Sequence, residues 1–216
     1  MYSHNRKAQS HVCLICHRQI EETRSLSRLF AAKAICDDCR HSFEKLDLDT
    51  TICGYPLKIL YYYNDFFKGL LFHYKGLYDY ALRDAFLDDV KDILRDRYRD
   101  YLIALVPADP SGNAKRQFAG NEGIARTFST HIFNGLYKKR PYKQTEQSFT
   151  GRSKIKDIIG LRGGGFLRHQ KVLLFDDVIT SGETMKSCIK LVGACEPECI
   201  EVLVLSSRSH RFIQDR

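Results

Sequence analysis

No uninterrupted apolar run in the 216 residues approaches the roughly 20 residues needed to cross a bilayer as a helix. A membrane span is therefore not expected. The opening MYSHNRKAQSH lacks the apolar core of a secretory signal, which gives a cytoplasmic expectation. There is no GxxxxGK, so a nucleoside-triphosphate P-loop is excluded, and no GxGxxG, so a dinucleotide fingerprint is excluded as well. Nor is there a helix-turn-helix pattern, which counts against a regulator that reads duplex DNA. Apolar residues are not scarce: 44% hydrophobic and 28% charged rule out a disordered or fibrous class. The length suffices for one domain of ordinary size and an accessory piece.

Cysteine, by contrast, is plentiful, with eight in the chain. In a reducing compartment these are not expected to form a disulfide framework, and metal ligation becomes the first question. CLIC and CDDC place Cys13, Cys16, Cys36 and Cys39 as two CxxC pairs with 19 residues between them. Each pair can wrap two thiolates around one side of a tetrahedral ion. The spacing predicts a zinc ribbon holding one structural Zn2+; four reduced thiols or two separate redox pairs are the competing readings. A ribbon this small buries too little apolar surface to stand alone, so the metal would supply its folding energy. His17 and His41 read as bystanders, and Cys53, Cys188, Cys195 and Cys199 as buried small residues. The domain expectation is a ribbon over 1–50 and a second unit over 51–216.

Beyond the ribbon, PLKILYYYNDF reads as a strand, and the pattern turns helical from Asp65. Leu82, Phe86, Val90, Ile93 and Leu94 recur at steps of three and four, which predicts one long amphipathic helix. YLIALVPAD is a buried strand, and GIARTFSTHIF a helix stopped by Asn134 and Gly135. KVLLFDD, TMKSCIKLV and CIEVLVLS follow as strand, helix and strand. Nearly continuous Val, Ile and Leu strands alternating with helices predict an α/β fold: a parallel sheet covered on both faces. In such sheets ligands sit at the carboxyl ends of strands, where Asp109, Asp176 and Asp177 fall.

The stretch VLLFDDVITSGET, Val172 to Thr184, joins two features that repel each other. A strand ends in adjacent acids, Asp176 and Asp177, and passes into Thr180, Ser181, Gly182 and Thr184 ahead of a helix. Hydroxyls, backbone N–H groups and the positive end of a helix dipole form an anion cup there. Two carboxylates beside it would repel a bare phosphate but suit the hydroxyl pair of a sugar phosphate. A ribose 5-phosphate satisfies both halves.

FDDVITSGET resembles the 5-phosphoribosyl 1-pyrophosphate (PRPP) loop of type I phosphoribosyltransferases. With the four-cysteine ribbon ahead of it, the layout is similar to the ComF family of bacterial competence proteins. YKG at Tyr74 to Gly76, AKRQFAGNEGIA and QTEQSFTGRSKIKDIIG resemble further motifs of that family. The resemblance implies a type I phosphoribosyltransferase fold behind a small zinc ribbon. It also implies PRPP contacts from Asp176, Asp177, Val178, Thr180, Ser181, Gly182, Glu183 and Thr184. Pro107, Ala108 and Arg116 would lie near the pyrophosphate and its Mg2+, with Arg152 and Lys154 in a loop closing over it; Asn121 is carried over from the same region as Arg116. Gly163 to Gly165 reads as a flexible joint.

Charge is unevenly spread. From Lys115 to Lys171 there are 13 Lys and Arg against 3 acids, a net +10, which leaves −2 for the rest of a chain whose total is +8. Thirteen cations exceed what a pyrophosphate requires. With Phe118, Phe128, Phe133, Tyr137, Tyr142, Phe149 and Phe166 interleaved, the segment has the makeup of a surface for single-stranded DNA, and a solvated basic face over core aromatics is the other reading. Lys138, Lys139 and Arg140 are the expected DNA cluster, placed away from the acids. Two functions use the same pocket. One is a PRPP-binding accessory of competence, with single-stranded DNA, a DNA-translocase helicase and other uptake proteins as partners. The other is an orthodox phosphoribosyltransferase acting on a nitrogenous acceptor.

Overall fold

The computed structural model describes residues 11–20, 33–108, 114, 117–139 and 159–209. A short antiparallel pair, β1 (His11–Val12) and β2 (Gln19–Ile20), and helix α1 (Asp37–His41) make up the cysteine unit. The main sheet takes six strands: β3 (Lys45–Ile52), β4 (Tyr55–Tyr62), β5 (Tyr101–Leu105), β6 (Ile132–Phe133), β9 (Lys171–Ile179) and β10 (Cys199–Ser207). Their order is β3-β4-β10-β9-β5-β6, parallel except for the β3 edge. The antiparallel hairpin of β7 (Leu136–Lys138) and β8 (Ile159–Leu161) stands apart from it. Lys45–Ile52 thus belongs to the main sheet, so the sheet begins inside the segment expected as ribbon.

Alternation along the strands builds two cores. Leu173 and Phe175 of β9, with Leu203 and Leu205 of β10, face helix α2 (Asp65–Gly76), helix α3 (Lys91–Arg97) and helix α4 (Gly120–Ala125). Val172 and Leu174, with Val202 and Val204, face helix α5 (Glu183–Gly193). Because both faces are covered, the central strands lack the polar half of an alternating pattern.

The first core extends into the cysteine unit without a break: Cys13, Ile35, Cys39 and Phe43 share it with Phe67 of α2 and Phe86. Arg40, one residue past Cys39, ties the unit down electrostatically. Its guanidinium lies 2.6 Å from the Asp88 carboxylate and 2.7 Å from that of Asp89. Asp88, with a side chain 2% exposed, also accepts the Ala34 N–H at 2.9 Å.

Several expectations need correction. The stripe from Leu82 to Leu94 is not one helix but a 3-10 turn (Tyr80–Asp84), a run of turns, and α3. Leu82, Phe86, Leu87 and Leu94 are buried while Ile93 is 67% exposed; the turns deliver Leu87 to the core in place of Ile93. GIARTFSTHIF is helical only to Ala125. The Thr127 hydroxyl takes the Ile124 carbonyl at 2.7 Å, and Ile132 and Phe133 pair instead with the open edge of β5, where backbone bonding outweighs helix propensity. Cys53 is exposed in the β3-β4 turn with φ 52°, and Cys195 and Cys199 are half-buried, leaving Cys188 as the one of the four that is buried.

Candidate functional site

At the carboxyl edge of the sheet β5 runs into Val106, Pro107 and Ala108, and β9 runs through Asp176 and Asp177 into Thr180 to Gly182. These segments wall a cavity of about 190 Å³. Gly182 sits at φ +78°, a left-handed turn that a side chain would strain, and its carbonyl accepts the Lys186 N–H at 2.9 Å as α5 begins. The turn aims the first residues of α5, Glu183 and Thr184, at the cavity, so the helix presents its positive end there.

The opposite wall carries the acids, in two different states. Burial alone would raise the Asp177 carboxyl, but the ammonium of Lys75, paired with it directly, more than offsets this and holds it below the ordinary range. Asp176 has no such cation. Burial first, and then the charge of Asp177, push it up to about 8. Asn121, 5% exposed, links the pair: its amide nitrogen donates to Asp176 Oδ1 at 2.8 Å and to the Val106 carbonyl at 3.2 Å, and its oxygen accepts from Lys75 Nζ at 3.1 Å. One acid is pushed toward its protonated form and the other is paired with a cation. Both effects lessen the repulsion of an anion in the cup, and Lys138 on the wall adds a cation. An anion cup joined to one acceptor and one donor carboxyl suits a phosphorylated polyol.

Of the residues singled out in the sequence, Pro107, Ala108, Asp176, Asp177, Val178, Thr180, Ser181, Gly182, Glu183 and Thr184 line this one cavity. Arg116, Arg140, Arg152 and Lys154 lie outside the described residues, as does Asp109. Lys138 corrects an expectation: placed away from the acids with Lys139 and Arg140, it stands on the cavity wall. Lys75 carries no signal in composition or periodicity that it should meet Asp177. The YKG stretch was the only pointer to it.

The basic segment departs from expectation in its aromatics. Phe128 and Phe133 are buried, and Phe118 stacks against Tyr74 and Tyr80 at 5.2 and 4.9 Å. Arg162 covers Tyr137 at 4.5 Å. Phe166, 77% exposed, is the large apolar side chain of this set left open among the described residues; Tyr142 and Phe149 lie outside them.

In the cysteine unit the thiol sulfurs of Cys13, Cys16, Cys36 and Cys39 all lie within 4.8 Å of one another, and those of Cys16 and Cys36 are 3.6 Å apart. Sulfurs bound at about 2.3 Å to one tetrahedral Zn2+ stand roughly 3.8 Å apart, so the cluster fits the ion. Arg18, donating to Cys16 Sγ at 3.4 Å, brings that thiol down to about 6, toward the thiolate form that ligation requires.

Residues 117–216 match the family model of the phosphoribosyl transferase domain. The chain is 22% identical over 205 residues to competence protein ComFC of Streptococcus pneumoniae, covering 83% of this chain and 92% of that protein. It is equally 22% identical over 205 residues to ComFC of Bacillus subtilis, covering 81% and 85%. The chain is thus similar to ComFC proteins over most of its length, with a match to a phosphoribosyl transferase domain in its C-terminal part. A hypoxanthine phosphoribosyltransferase from Staphylococcus aureus aligns at 16% identity and a TM-score of 0.39 over 58% of this chain and 62% of that one, under two thirds of its length. Among the described residues no helix is long and apolar enough to cross a membrane.

Proposed function

We propose that the cavity binds PRPP with its magnesium, and that the protein serves natural transformation by supporting the handling of incoming single-stranded DNA. The observation that carries the ligand assignment is the joining of the α5 anion cup to the unequal acids Asp176 and Asp177 in one cavity. The 5-phosphate sits at Thr180 to Thr184, the ribose hydroxyls meet the two acids, and the pyrophosphate extends toward Pro107 and Ala108. Magnesium arrives as the counter-ion of the pyrophosphate, as part of the substrate. The competence assignment draws on the similarity to ComFC over four fifths of the chain.

The match to the phosphoribosyl transferase domain favours a second reading of the same pocket. In it a nitrogen nucleophile attacks C1′ of PRPP, the C1′–O bond breaks, and pyrophosphate leaves with the bonding electrons.

Calorimetry with PRPP and magnesium tests the ligand. Wild type binds, and Asp177→Ala and Thr184→Ala each weaken binding about 10-fold or more. Undiminished binding in both variants removes the site. Release of pyrophosphate in the presence of an acceptor would move the assignment to the transferase.

A further inference from the structure

The cavity's charge is set from outside the matched domain. Residues 117–216 contain both acids and Asn121 but not Lys75, which comes from the last turn of α2. That helix is held at both ends. Asn64 caps it by accepting the Phe67 N–H at 2.9 Å. Near its other end the buried Tyr74 hydroxyl donates to the Gly120 carbonyl at 2.8 Å. Two glycines of α4 make room for this approach. A Cβ on Gly120 would lie 2.7 Å from Lys75 Cε, and one on Gly123 would lie 2.5 Å from the Tyr74 hydroxyl oxygen. The stem of Lys75 therefore passes over α4 at a point where a side chain would obstruct it, and the ammonium meets Asp177 and the Asn121 oxygen beyond.

We propose that Lys75 is a positioning residue of the cavity: reaching over α4, it fixes the Asp177 carboxylate by direct pairing and so sets it apart from Asp176. The proposal deepens the PRPP reading and rests on it for the identity of the ligand. Toward a vicinal diol the two carboxyls then differ in function. Asp177 accepts from one hydroxyl, and Asp176 can both accept and donate. The groups facing Asp177 support the assignment. Asp176 lies beside it on β9, Lys75 reaches it from α2, and Lys138 of β7 and Glu183 of α5 stand on the same cavity wall. Of these, Lys75 alone forms an ion pair with Asp177 among the described residues. Burial would push both acids toward the neutral form, and the Lys75 charge reverses that for one of them.

The test has two arms, both on the full chain. In the first, carboxyl carbon NMR follows the titration of Asp176 and Asp177 without ligand in wild type, Lys75→Met, Lys75→Arg and Gly120→Ala. Lys75→Met should move the Asp177 titration upward and Lys75→Arg should restore it. Gly120→Ala, which keeps the charge but displaces its stem, should produce an intermediate shift, and this variant remains informative if Lys75→Met fails to fold. In the second arm, PRPP affinity should fall about 10-fold in Lys75→Met and recover to within about 3-fold of wild type in Lys75→Arg. An Asp177 titration that ignores both Lys75→Met and Gly120→Ala overturns the proposal, as does unchanged PRPP affinity in Lys75→Met. If wild type binds no PRPP, the ligand reading falls, and the first arm alone decides the role of Lys75.

Discussion

Lys75 and Asp177, 102 residues apart in the chain, form an ion pair on the wall of the cavity. The pair explains how an anion cup can be built against two acids. Lys75 pairs with Asp177, while burial first, and then the Asp177 charge, push Asp176 toward its protonated form. Neither condition is visible in FDDVITSGET itself, because both depend on a helix that precedes the motif by about a hundred residues.

A pH dependence follows from Asp176. Its ordinary value is 3.8 and in the folded chain it is pushed up to about 8, so between those values the folded state holds a proton that the unfolded state has released. Folding stability should therefore fall as pH rises from 3.8 to about 8. Asp177 has the opposite sign: its folded value is lowered, so its contribution is present above 3.8 and is lost below it. The window between belongs to Asp176. Thermal unfolding at stepped pH should show a decline in wild type that is flattened in Asp176→Asn. Parallel curves for the two proteins would refute the assignment.

The cysteine cluster predicts about one zinc per chain by metal analysis, lost on replacing either Cys13 and Cys16 or Cys36 and Cys39 by Ser. The unit shares its core with Phe67 and Phe86, so the loss should also lower the unfolding temperature of the whole chain. Protein purified without chelator yet free of zinc would defeat the prediction.

Arg40 and Asp88 connect that unit to the main domain. Their side chains are 15% and 2% exposed, and removing Asp88 takes one buried partner from Arg40, which keeps Asp89 and Asp37, and the acceptor from the Ala34 N–H. Asp88→Ala should cost about 2 kcal/mol in denaturant unfolding, while the exposed control Asp96→Ala, which loses a pair with Arg99 at 73% and 74% exposure, should change stability by less than about 0.5 kcal/mol. Equal effects would mean that Arg40 is satisfied without Asp88.

The parts of this protein legible in the sequence are those encoded by contiguous residues. The central strands show as apolar runs, the Gly182 turn shows in TSGET, and the four thiols show in their spacing. What escaped was set by competition between segments. The Leu82 to Leu94 stripe has helical spacing, yet Leu87 took the core place that the pattern gave to Ile93. Ile132 and Phe133 left a helical pattern because the β5 edge offered them backbone partners. Lys138 looked like one of a run of cations, and only the folded chain shows it on the cavity wall.

That position of Lys138 reshapes the test of the basic segment. If the net +10 between Lys115 and Lys171 engages a nucleic-acid backbone, single-stranded DNA should bind with an affinity that falls steeply with salt, since each neutralised phosphate releases condensed counterions. Reversing Lys138 would disturb the cavity as well as any DNA contact, so it cannot separate the two. Lys139 is not among the described residues that line the cavity, and Arg140 lies outside the described residues. The double variant Lys139→Glu, Arg140→Glu should weaken DNA binding and reduce the salt slope by about 2, with PRPP affinity close to wild type. Lys138→Glu should weaken both ligands. Fluorescence anisotropy of a labelled oligonucleotide across a salt series reads the first effect and calorimetry the second. DNA binding absent at low salt, or unmoved by the double reversal, would leave the basic residues as a solvated face over a core that already holds Phe128 and Phe133, and the orthodox transferase would then be the better account of the pocket.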